Sequence, residues 1–245
     1  MLRDHQDAYG HEIMDYYLGK RDIYEVVERE DGYIDVSSGP SFYFQENENW
    51  HEIEKEAMKW VHGRVLDVGC GAGRIALHLQ NAGHAVLGID ISPKAIEVCQ
   101  MRGVKETEHI SITQVSSRLG EFDTIMMMGN NFGLFANPRR ARWLLKRFRG
   151  MTSPEAKIIA NSLDVYATDN PDHLAYQQWN RERGRMAGQI RIRIRYRKMK
   201  TPWFDYLMVS QDEMTQLLKD SGWQVARFID SDSASYTAIL EKTGR

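Results

Sequence analysis

The sequence predicts an α/β protein built on a mostly parallel sheet. From Arg64 onward, short β-branched or apolar runs alternate with helix-like segments, the pattern of parallel strands with covering helices. A loop of alternating glycines joins the first of these runs to a helix, and an aspartate ends the second run. With 245 residues, the chain can bury one core of ordinary size, so we expect one domain.

Five strands are expected before the C-terminal part of the chain. The apolar runs predict them at residues 64–68, 85–90, 110–115, 124–128 and 156–161. Only residues 116–123 separate the third strand from the fourth, whereas a full crossover needs about a dozen residues. Either that crossover is degenerate or the third strand is misplaced.

Two helices are expected to follow the first two strands. Residues 74–81 carry apolar side chains at helical spacing, and Gly83 can end that helix. Ser92 can cap the next helix, because its hydroxyl can accept a free backbone amide, and Pro93 suits the first helical position. Both helices can cover the predicted sheet.

The C-terminal part should close the sheet with antiparallel strands. A helix is predicted over residues 211–220, with Ser210 as its cap. Strands are predicted at residues 224–229 and 236–241, joined by a short polar turn. This arrangement predicts a closing antiparallel hairpin.

Two segments fall outside the alternation of strands and helices. Residues 1–60 are expected to form an N-terminal helical cap, with one helix around Tyr9 and another over residues 49–61. Residues 61–245 are expected to form the main domain. Residues 162–209 are expected as an antiparallel flap, inserted after the fifth strand.

The inserted flap contains a strict alternation of arginine with apolar residues at positions 191–197. A strand there would put its arginines on one face and its apolar side chains on the other, with residues 203–209 as its partner. The arginine face is either a solvated surface or dimer contact, or a surface that attracts an acidic acceptor or RNA. In the second case it would act together with Arg139, Arg140, Arg142 and Arg147.

Composition excludes several kinds of protein. The chain is 42% hydrophobic and 27% charged, which fits a folded domain. Cys70 and Cys99 are too few for a disulfide framework, a four-thiolate metal site or the three-cysteine cluster of a radical enzyme. No apolar run approaches the roughly 20 residues of a membrane helix, and the N-terminus lacks a signal-peptide core, so we expect a cytoplasmic protein with no membrane partner.

The sharpest motif is VLDVGCGAGR at residues 65–74, a buried strand that runs through alternate glycines into a helix. Glycines at positions 69, 71 and 73 remove the Cβ atoms that would block a ligand from the backbone, and they permit positive φ angles. We therefore expect a ligand against this loop. A side chain at Gly71 should exclude it.

A carboxylate, Asp90, ends the second strand, where it can accept both hydrogen bonds of a ribose diol. The alternative is that Asp90 is only a turn residue that caps a helix. Dinucleotide sites use the spacing G-x-G-x-x-G, but here the third glycine comes one residue early, and Asp67 adds a negative charge. That charge opposes phosphate and suits a ligand with an ammonium group and a sulfonium.

At these residues the sequence resembles the class I S-adenosylmethionine-dependent methyltransferases, through residues 65–74, 88–92 and 122–130. The resemblance spans residues 60–161 and 210–241. It implies a Rossmann-like fold with a final antiparallel strand, and S-adenosyl-L-methionine as the cofactor.

The resemblance also implies roles for particular residues. The methionine part of the cofactor would be held by Asp67, Gly69, Cys70, Gly71 and Gly73. Asp90 would bind the ribose, Ile91 would pack on the adenine, and Met128 with Gly129 would line the cofactor. After the third strand the family often has an acidic residue that recognises the adenine amino group, whereas this chain has Val115-Ser116-Ser117. Ser116 or a backbone carbonyl is the candidate replacement.

Candidate groups for the methyl acceptor follow the fourth and fifth strands. Methyl transfer from a sulfonium is an in-line displacement, so alignment matters more than a catalytic base. Asn130 and Asn131 are candidate orienting groups. The alternative is a polar loop in which Phe132 and Phe135 fill the core. Asp164 is the candidate general base.

Three functions remain open at this point. The first is a methyltransferase for a small molecule, favoured by the glycine loop, Asp90 and an enclosing N-terminal cap. The second is an RNA or protein methyltransferase that uses the basic insert, and the third is a non-catalytic nucleotide-binding module. The sequence lacks the Asn-Pro-Pro-aromatic arrangement of DNA amino methylation and the Pro-Cys nucleophile of cytosine C5 methylation. It leaves the acceptor and the oligomeric state unidentified.

Overall fold

The computed structural model describes residues 2–37 and 39–244. Its α-helices are, in chain order, α1 Ala8–Tyr17, α2 Glu52–Met58, α3 Arg74–Asn81, α4 Pro93–Met101, α5 Pro138–Arg149, α6 Pro171–Glu182 and α7 Gln211–Leu218. Its strands are β1 Glu25–Arg29, β2 Ile34–Ser37, β3 Val65–Val68, β4 Val86–Asp90, β5 Glu106–His109, β6 Phe122–Met127, β7 Thr152–Leu163, β8 Gln189–Tyr196, β9 Met199–Lys200, β10 Phe204–Leu207, β11 Trp223–Asp230 and β12 Ser235–Lys242.

The chain forms two compact units. The first contains the residues up to Trp50 together with Gly63–Val115 and Ile192–Phe204. The second contains His51–His62, Ser116–Arg191 and the residues from Asp205 onward. The predicted division into a cap of residues 1–60 and a main domain of residues 61–245, with a flap at residues 162–209, stays a prediction.

In the first unit, β3, β4 and β5 are parallel neighbours in that order. Every residue of β3 and β4 is buried, which is typical of parallel strands covered on both faces. The connecting helices α3 and α4 follow as predicted, and the Ser92 hydroxyl caps α4 by accepting the Ala95 amide at 3.0 Å. The predicted first two strands and their helices are confirmed.

The predicted third strand at residues 110–115 is wrong. The strand lies earlier, at β5, and Ile112–Gln114 and Ser117–Leu119 form 3₁₀ turns instead. Within the described part of the chain, β5 is an edge strand that pairs with β4. Its residues are polar and partly exposed, so no apolar run in the sequence predicts it. The Ser111 hydroxyl accepts the Thr113 amide at 3.2 Å and starts the first 3₁₀ turn.

The first unit also contains a small antiparallel sheet. Here β1 pairs with β2 and with β8, and β8 pairs with β9. The β1–β2 hairpin was not predicted, because the N-terminal segment was expected to be helical. Strand β8 confirms the strand predicted from the arginine alternation, and Tyr196 on its apolar side packs with Ala8 and Ile23.

In the second unit, β6 and β7 are parallel, and β12 lies antiparallel between β7 and β11. The predicted closing hairpin is confirmed. Helix α5 presents Ala141, Leu144, Leu145 and Phe148 inward and a basic face outward. The indole of Trp223, at the start of β11, is buried and donates a 2.9 Å hydrogen bond to the Leu145 carbonyl, which ties the hairpin to α5.

The insert combines strands with a helix. Strand β10 lies beside β8, which confirms residues 203–209 as the predicted partner. Helix α6, capped by the side chain of Asn170, was not predicted in a segment expected to be an antiparallel flap. Among the residues that the structure describes, no helix has the length and apolar character needed to cross a bilayer.

Candidate functional site

The glycine loop joins β3 to α3 in the first unit. Gly69, Gly71 and Gly73 have φ angles of 73°, 54° and 78°, in the left-handed region that glycine adopts without strain. The Gly69 and Cys70 amides donate to the Ile89 carbonyl at 2.8 and 3.1 Å. The loop therefore turns sharply while staying attached to β4.

Asp90, at the end of β4, holds this loop and the start of the next helix. Its Oδ2 accepts the Gly71 amide at 3.0 Å, and its Oδ1 accepts the Ser92 amide at 2.8 Å. Burial raises the pKa of Asp90, and these amide bonds oppose that shift. Each carboxylate oxygen can accept more than one hydrogen bond, so the predicted role toward a ribose remains compatible with the two amide contacts.

The predicted loop residues differ in what surrounds them. A Cβ on Gly73 would come within 2.8 Å of Val104 Cγ2 and 2.9 Å of Cys99 Sγ, so Gly73 lets the helix start pack closely on protein. The buried thiol of Cys70 lies 3.7 Å from that of Cys99, which donates to the Gly71 carbonyl at 3.1 Å. The Cys70 thiol therefore contacts protein, and its backbone amide and carbonyl are bonded to Ile89 and Gly73.

Asp67 is a buried carboxyl without full pairing. Asp67 is only 2% exposed. Among residues 2–37 and 39–244, its Oδ2 has no hydrogen-bond partner. Burial and the charge of Asp90 raise the pKa of Asp67 to about 7, although Arg74 acts in the opposite direction. A cation placed here would restore the charged carboxylate.

Ile91 follows Asp90 and is 41% exposed, an unusual position for a large aliphatic side chain next to a buried loop. Its backbone carbonyl accepts a 2.9 Å hydrogen bond from the ring of His109 on β5. The backbone is thus fixed while the side chain stays accessible. This geometry is compatible with the predicted packing on an adenine.

Tyr9 of α1 covers the glycine loop, a relationship that the sequence did not reveal. Its hydroxyl lies 2.7 Å from the place that a Cβ on Gly71 would occupy. Its ring meets that of Tyr43 edge to face, with centroids 5.4 Å apart. An aromatic residue in an N-terminal amphipathic helix was the available signal, but nothing in the sequence indicated which loop it contacts.

Asp7 fastens α1 to the start of α4. Its Oδ1 caps α1 by accepting the Gly10 amide at 3.0 Å. Its Oδ2 accepts the Ser92 hydroxyl at 2.8 Å and the Lys94 amide at 3.0 Å. Because Gly10 packs against Ser92, any side chain at Gly10 would push α1 away. The sequence did not predict these contacts of Asp7 with the start of α4.

In the second unit, the polypeptide after β6 is held at Asn130. Gly129 and Asn130 have φ angles of 66° and 62°. The Asn130 amide donates to Asn161 Oδ1 at 2.8 Å, and its carbonyl accepts the Tyr206 hydroxyl at 2.6 Å. Its side-chain Oδ1 is buried and has no partner within the described part of the chain. Asn130 therefore has a fixed backbone and a free acceptor.

Asn161 and Tyr206, the two residues that hold the Asn130 backbone, were not predicted to do so. Asn161 Nδ2 donates to the Tyr236 carbonyl at 2.8 Å and to Ser235 Oγ at 3.0 Å, so its amide is fully used. The signal that could have found it is a polar residue at the end of an apolar strand, since a buried amide needs partners. Nothing in the sequence pointed to Tyr206.

The other predicted residues of the second unit have varied surroundings. Met128 is buried, and Ser116 precedes the 3₁₀ turn Ser117–Leu119 rather than a strand end. Phe132 and Phe135 are fully buried with ring centroids 4.8 Å apart, so these two rings do fill the core, while Asn131 starts their 3₁₀ turn. Asp164 is partly buried, and its Oδ1 accepts the Tyr166 amide at 2.9 Å.

Comparison with known proteins finds a methyltransferase domain within the chain. Residues 65–155 match the family model described as a methyltransferase domain. A ubiquinone biosynthesis O-methyltransferase from Thiobacillus denitrificans is 34% identical over an alignment of 91 residues, and the match covers 32% of this chain and 39% of that protein. The chain thus matches well under two thirds of the length of this curated relative.

Two solved structures are similar over nearly the whole chain. A methyltransferase from Bacteroides fragilis, solved in complex with S-adenosyl-L-homocysteine, is 26% identical, with a TM-score of 0.84, and the match covers 100% of this chain and 98% of that one. The CcbJ methyltransferase from Streptomyces caelestis is 12% identical, with a TM-score of 0.66 over 99% and 100% of the two chains, and this likeness concerns the fold alone.

The predicted Rossmann-like α/β fold is confirmed by these structures. Residues 65–155 are thus a methyltransferase domain, and the Bacteroides fragilis structure with S-adenosyl-L-homocysteine supports S-adenosyl-L-methionine as the cofactor.

Proposed function

We propose that the protein transfers a methyl group from S-adenosylmethionine to a small molecule. The observation that carries this proposal is the contact of Tyr9 with Gly71, in the loop that Asp90 holds by a 3.0 Å hydrogen bond. The chain's own N-terminal helix encloses the loop, and Asp7 fastens that helix. An enclosed site suits a small acceptor better than a folded macromolecule.

Two features of the first unit fit the cofactor. The unpartnered oxygen of buried Asp67 calls for a positive charge, and the cofactor has one on its sulfur and another on its ammonium group. Gly71 has no Cβ, which lets the Tyr9 hydroxyl close over the loop that would hold the cofactor. Asp67 and the glycine loop would hold the methionine part, Asp90 the ribose and Ile91 the adenine. Ser116, Met128 and Gly129, in the second unit, stay predicted cofactor residues.

S-adenosylmethionine supplies a methyl group on a positively charged sulfur, ready for in-line displacement. The work left to the chain is to hold the reactants and to exclude water. Asp90 fixes the glycine loop, and the Tyr9 ring keeps solvent from its outer side. In the second unit, the free Oδ1 of Asn130 supports its proposed role as an orienting group. Asn131 as a second orienting group and Asp164 as a general base remain part of the proposal.

The arginine face of β8 gives little support to RNA as the acceptor. Glu28 accepts two hydrogen bonds from Arg193, at 2.8 and 2.9 Å, and one from Arg195 at 3.3 Å. Arg191 lies 3.4 Å from Asp205. Arginines that are already paired have less charge to offer a phosphate backbone. The curated relative, by contrast, is named for an O-methyltransferase of a biosynthetic pathway, which favours a small molecule.

Calorimetry tests this proposal directly. Purified protein should bind S-adenosylmethionine and S-adenosylhomocysteine and should not bind NAD. S-adenosylmethionine should then be consumed when candidate small acceptors are added. A labelled methyl group should not be transferred to tRNA. Binding of NAD in place of both adenosyl compounds would refute the function, and labelling of tRNA would refute the small-molecule acceptor.

A cytoplasmic location is also proposed. The free, buried thiols of Cys70 and Cys99 are compatible with a reducing compartment. Fractionation of the source cells with an antibody to the protein would test it.

A further inference from the structure

A cavity of about 520 Å³ lies in the first unit, between α3, the end of α4 and residues 45–50. Cavities that bind small molecules measure roughly 300 to 1,000 Å³, so this one has room for a small ligand. Among the described residues that line it, none is Asp67, Asp90 or part of the glycine loop at residues 69–73. The cavity is therefore separate from the predicted cofactor contacts.

Arg102, directly after α4, brings a guanidinium with available donors to the cavity. Its Nη1 donates to the Ala72 carbonyl at 2.6 Å and to the Tyr43 carbonyl at 3.3 Å. Its Cζ lies over the Phe44 ring, 4.8 Å from the centroid. Among residues 2–37 and 39–244, nothing accepts a hydrogen bond from its Nε or Nη2. The N–H groups on these two nitrogens can therefore bond a ligand.

A second guanidinium, that of Arg74, belongs to the same lining. Arg74 is the first residue of α3 and is only 7% exposed. Its Cζ lies 4.3 Å from the centroid of the Phe42 ring and 4.6 Å from that of the Trp50 ring. Stacking on aromatic rings fixes the plane of a guanidinium, whose N–H groups point outward within that plane. Arg74 is thus held in place beside the cavity.

The lining has a net positive charge. Among its described residues, the groups that are charged at pH 7 are Arg74, Arg102 and the exposed carboxylate of Glu46. His78 is neutral there, because burial lowers its pKa from the ordinary 6.5. Burial also lowers the pKa of Arg102, and the charge of Glu46 opposes that shift. A bound anion would stabilise the charged guanidinium that burial disfavours.

Side-chain amides supply the rest of the polar lining. Gln45, Asn47 and Asn81 all line the cavity. Within the part of the chain that the structure describes, none of the three uses its side-chain amide in a hydrogen bond. Each amide can donate and accept, so together they suit the hydroxyl or oxyanion groups of a polar molecule. The cavity therefore favours a polar organic anion over an apolar ligand.

We propose that this cavity is a second ligand site, which binds a small polar molecule through a phosphate or carboxylate group. The oxyanion lies against Arg102 and Arg74, because guanidinium groups match the geometry of such oxygens. This goes beyond methyl transfer, since the site contains no predicted cofactor residue. It is nevertheless attached to the glycine loop, because Arg102 holds the Ala72 carbonyl.

Nuclear magnetic resonance titration tests the site with two probes, inorganic phosphate and malonate. Sodium chloride keeps the ionic strength constant, so general screening does not change. The signals of the Gly103 amide and the Arg102 Nε–H should shift and saturate with at least one probe, since both residues line the cavity. R102Q should bind that probe about tenfold more weakly, because charge-assisted hydrogen bonds are lost. K198Q removes an exposed charge of the same unit and should match the wild type.

A second variant provides the test if R102Q, which also loses its bond to Ala72, does not fold. N81D adds a negative charge to the lining at an exposed position and should weaken binding of the same probe severalfold. Q216E adds the same charge at an exposed position in α7, outside the lining, and should leave the affinity unchanged.

The two probes identify the group that is bound. Saturation by phosphate alone indicates a phosphate ligand, by malonate alone a carboxylate, and by both the oxyanion that they share. No saturation with either probe, or an unchanged affinity in the folded variants, overturns the second site. Displacement of the probe by S-adenosylhomocysteine also overturns it, because the anion then occupies the cofactor site. Failure of the wild type to bind S-adenosylhomocysteine overturns the proposed function instead and leaves the anion site standing.

Discussion

The Gly71 amide donates a 3.0 Å hydrogen bond to Oδ2 of Asp90, so the carboxylate at the end of β4 fixes the loop at the end of β3. Loop and carboxylate are usually considered two separate contacts for one ligand. Here each depends on the other before any ligand arrives, because the position of Gly71 is set by the side chain that is proposed to bind ribose.

Replacing Asp90 by alanine should therefore weaken the binding of S-adenosylhomocysteine by about 1 to 3 kcal/mol, the loss expected for buried hydrogen bonds left unmade. The Gly71 and Ser92 amides also lose their acceptor, so some stability should be lost. Calorimetry gives the affinity, and thermal melting shows whether the variant is folded. D212A, at an exposed position in α7, serves as control. An unchanged affinity in folded D90A would refute the role of Asp90.

Removing the ring of Tyr9 should open the glycine loop. The Y9A variant should bind S-adenosylhomocysteine more weakly and release it faster, and should be destabilised by about 2 kcal/mol through lost packing. Y9F retains the ring and should resemble the wild type in stability. Stopped-flow displacement measures the release rate. Y24A, at a tyrosine 62% exposed, should change neither quantity. Equal release rates for Y9A and wild type would contradict the covering role.

The buried carboxyl of Asp67 should make the cofactor-free protein less stable as the pH rises. Its folded-state pKa is about 7 against an ordinary 3.8, so the folded state favours the protonated form. The stabilisation is complete below about pH 4 and is lost as the pH rises to about 7. D67N cannot ionise, so at pH 8 it should be more stable than the wild type by on the order of 2 kcal/mol.

The same D67N variant should bind S-adenosylmethionine more weakly, since it lacks the charge that attracts a cation. Urea unfolding between pH 5 and pH 8 measures the stability, with D212N as the exposed control. Parallel pH profiles for D67N and wild type would show that Asp67 is not a buried proton-binding group.

Glu28 is expected to neutralise the arginines of β8. The E28A variant should lose about 1 to 2 kcal/mol of stability, a value between those of exposed and buried pairs, because Arg193 would be left largely buried without its carboxylate. It should also bind tRNA or heparin more strongly than the wild type at low salt. D35A, on the neighbouring strand β2, is the control. Strong salt-dependent tRNA binding by the wild type would favour RNA as a partner.

The hydroxyl of Tyr206 is expected to hold the loop at Asn130. Y206F removes the 2.6 Å bond to the Asn130 carbonyl, and this should lower the stability by about 1 kcal/mol. Amide hydrogen exchange should become faster across Asn131–Phe135, where the 3₁₀ turn follows. Y166F loses a hydroxyl bonded to Glu213 at an exposed site, and exchange in that turn should not change. Equal exchange rates in Y206F and wild type would show that the Tyr206 hydroxyl does not hold this loop.

Most of the parallel strands were predictable, because a strand buried on both faces has a continuous apolar run in its sequence. The runs that became β3 and β4 are wholly apolar apart from Asp67, Gly88 and Asp90, and those exceptions marked the site. Ser92 and Pro93 also predicted the start of α4, because a serine hydroxyl can cap a helix and proline suits its first position. Local rules were enough where local structure and burial agree.

The remaining parts depend on contacts between distant segments. Strand β5 carries Glu106, Thr107, Glu108 and His109, a sequence that becomes a strand only because β4 offers it an edge. Strand β1 pairs with β8, and nothing in the sequence of either strand indicates the other as its partner. The contacts of Asp7 with Ser92 and of Tyr206 with Asn130 are likewise tertiary, so no periodicity or cap signal could have predicted them.

The pairing of β1 with β8 has a consequence for synthesis of the protein. Val26 faces Arg195 and Glu28 faces Arg193, so a strand made early by the ribosome must wait for a partner made much later. Until then the nascent chain displays one unpaired strand edge, which is a template for aggregation. A truncation that deletes β1 would leave the mature protein with the same open edge along β8, and such a fragment should precipitate rather than persist as a minimal enzyme.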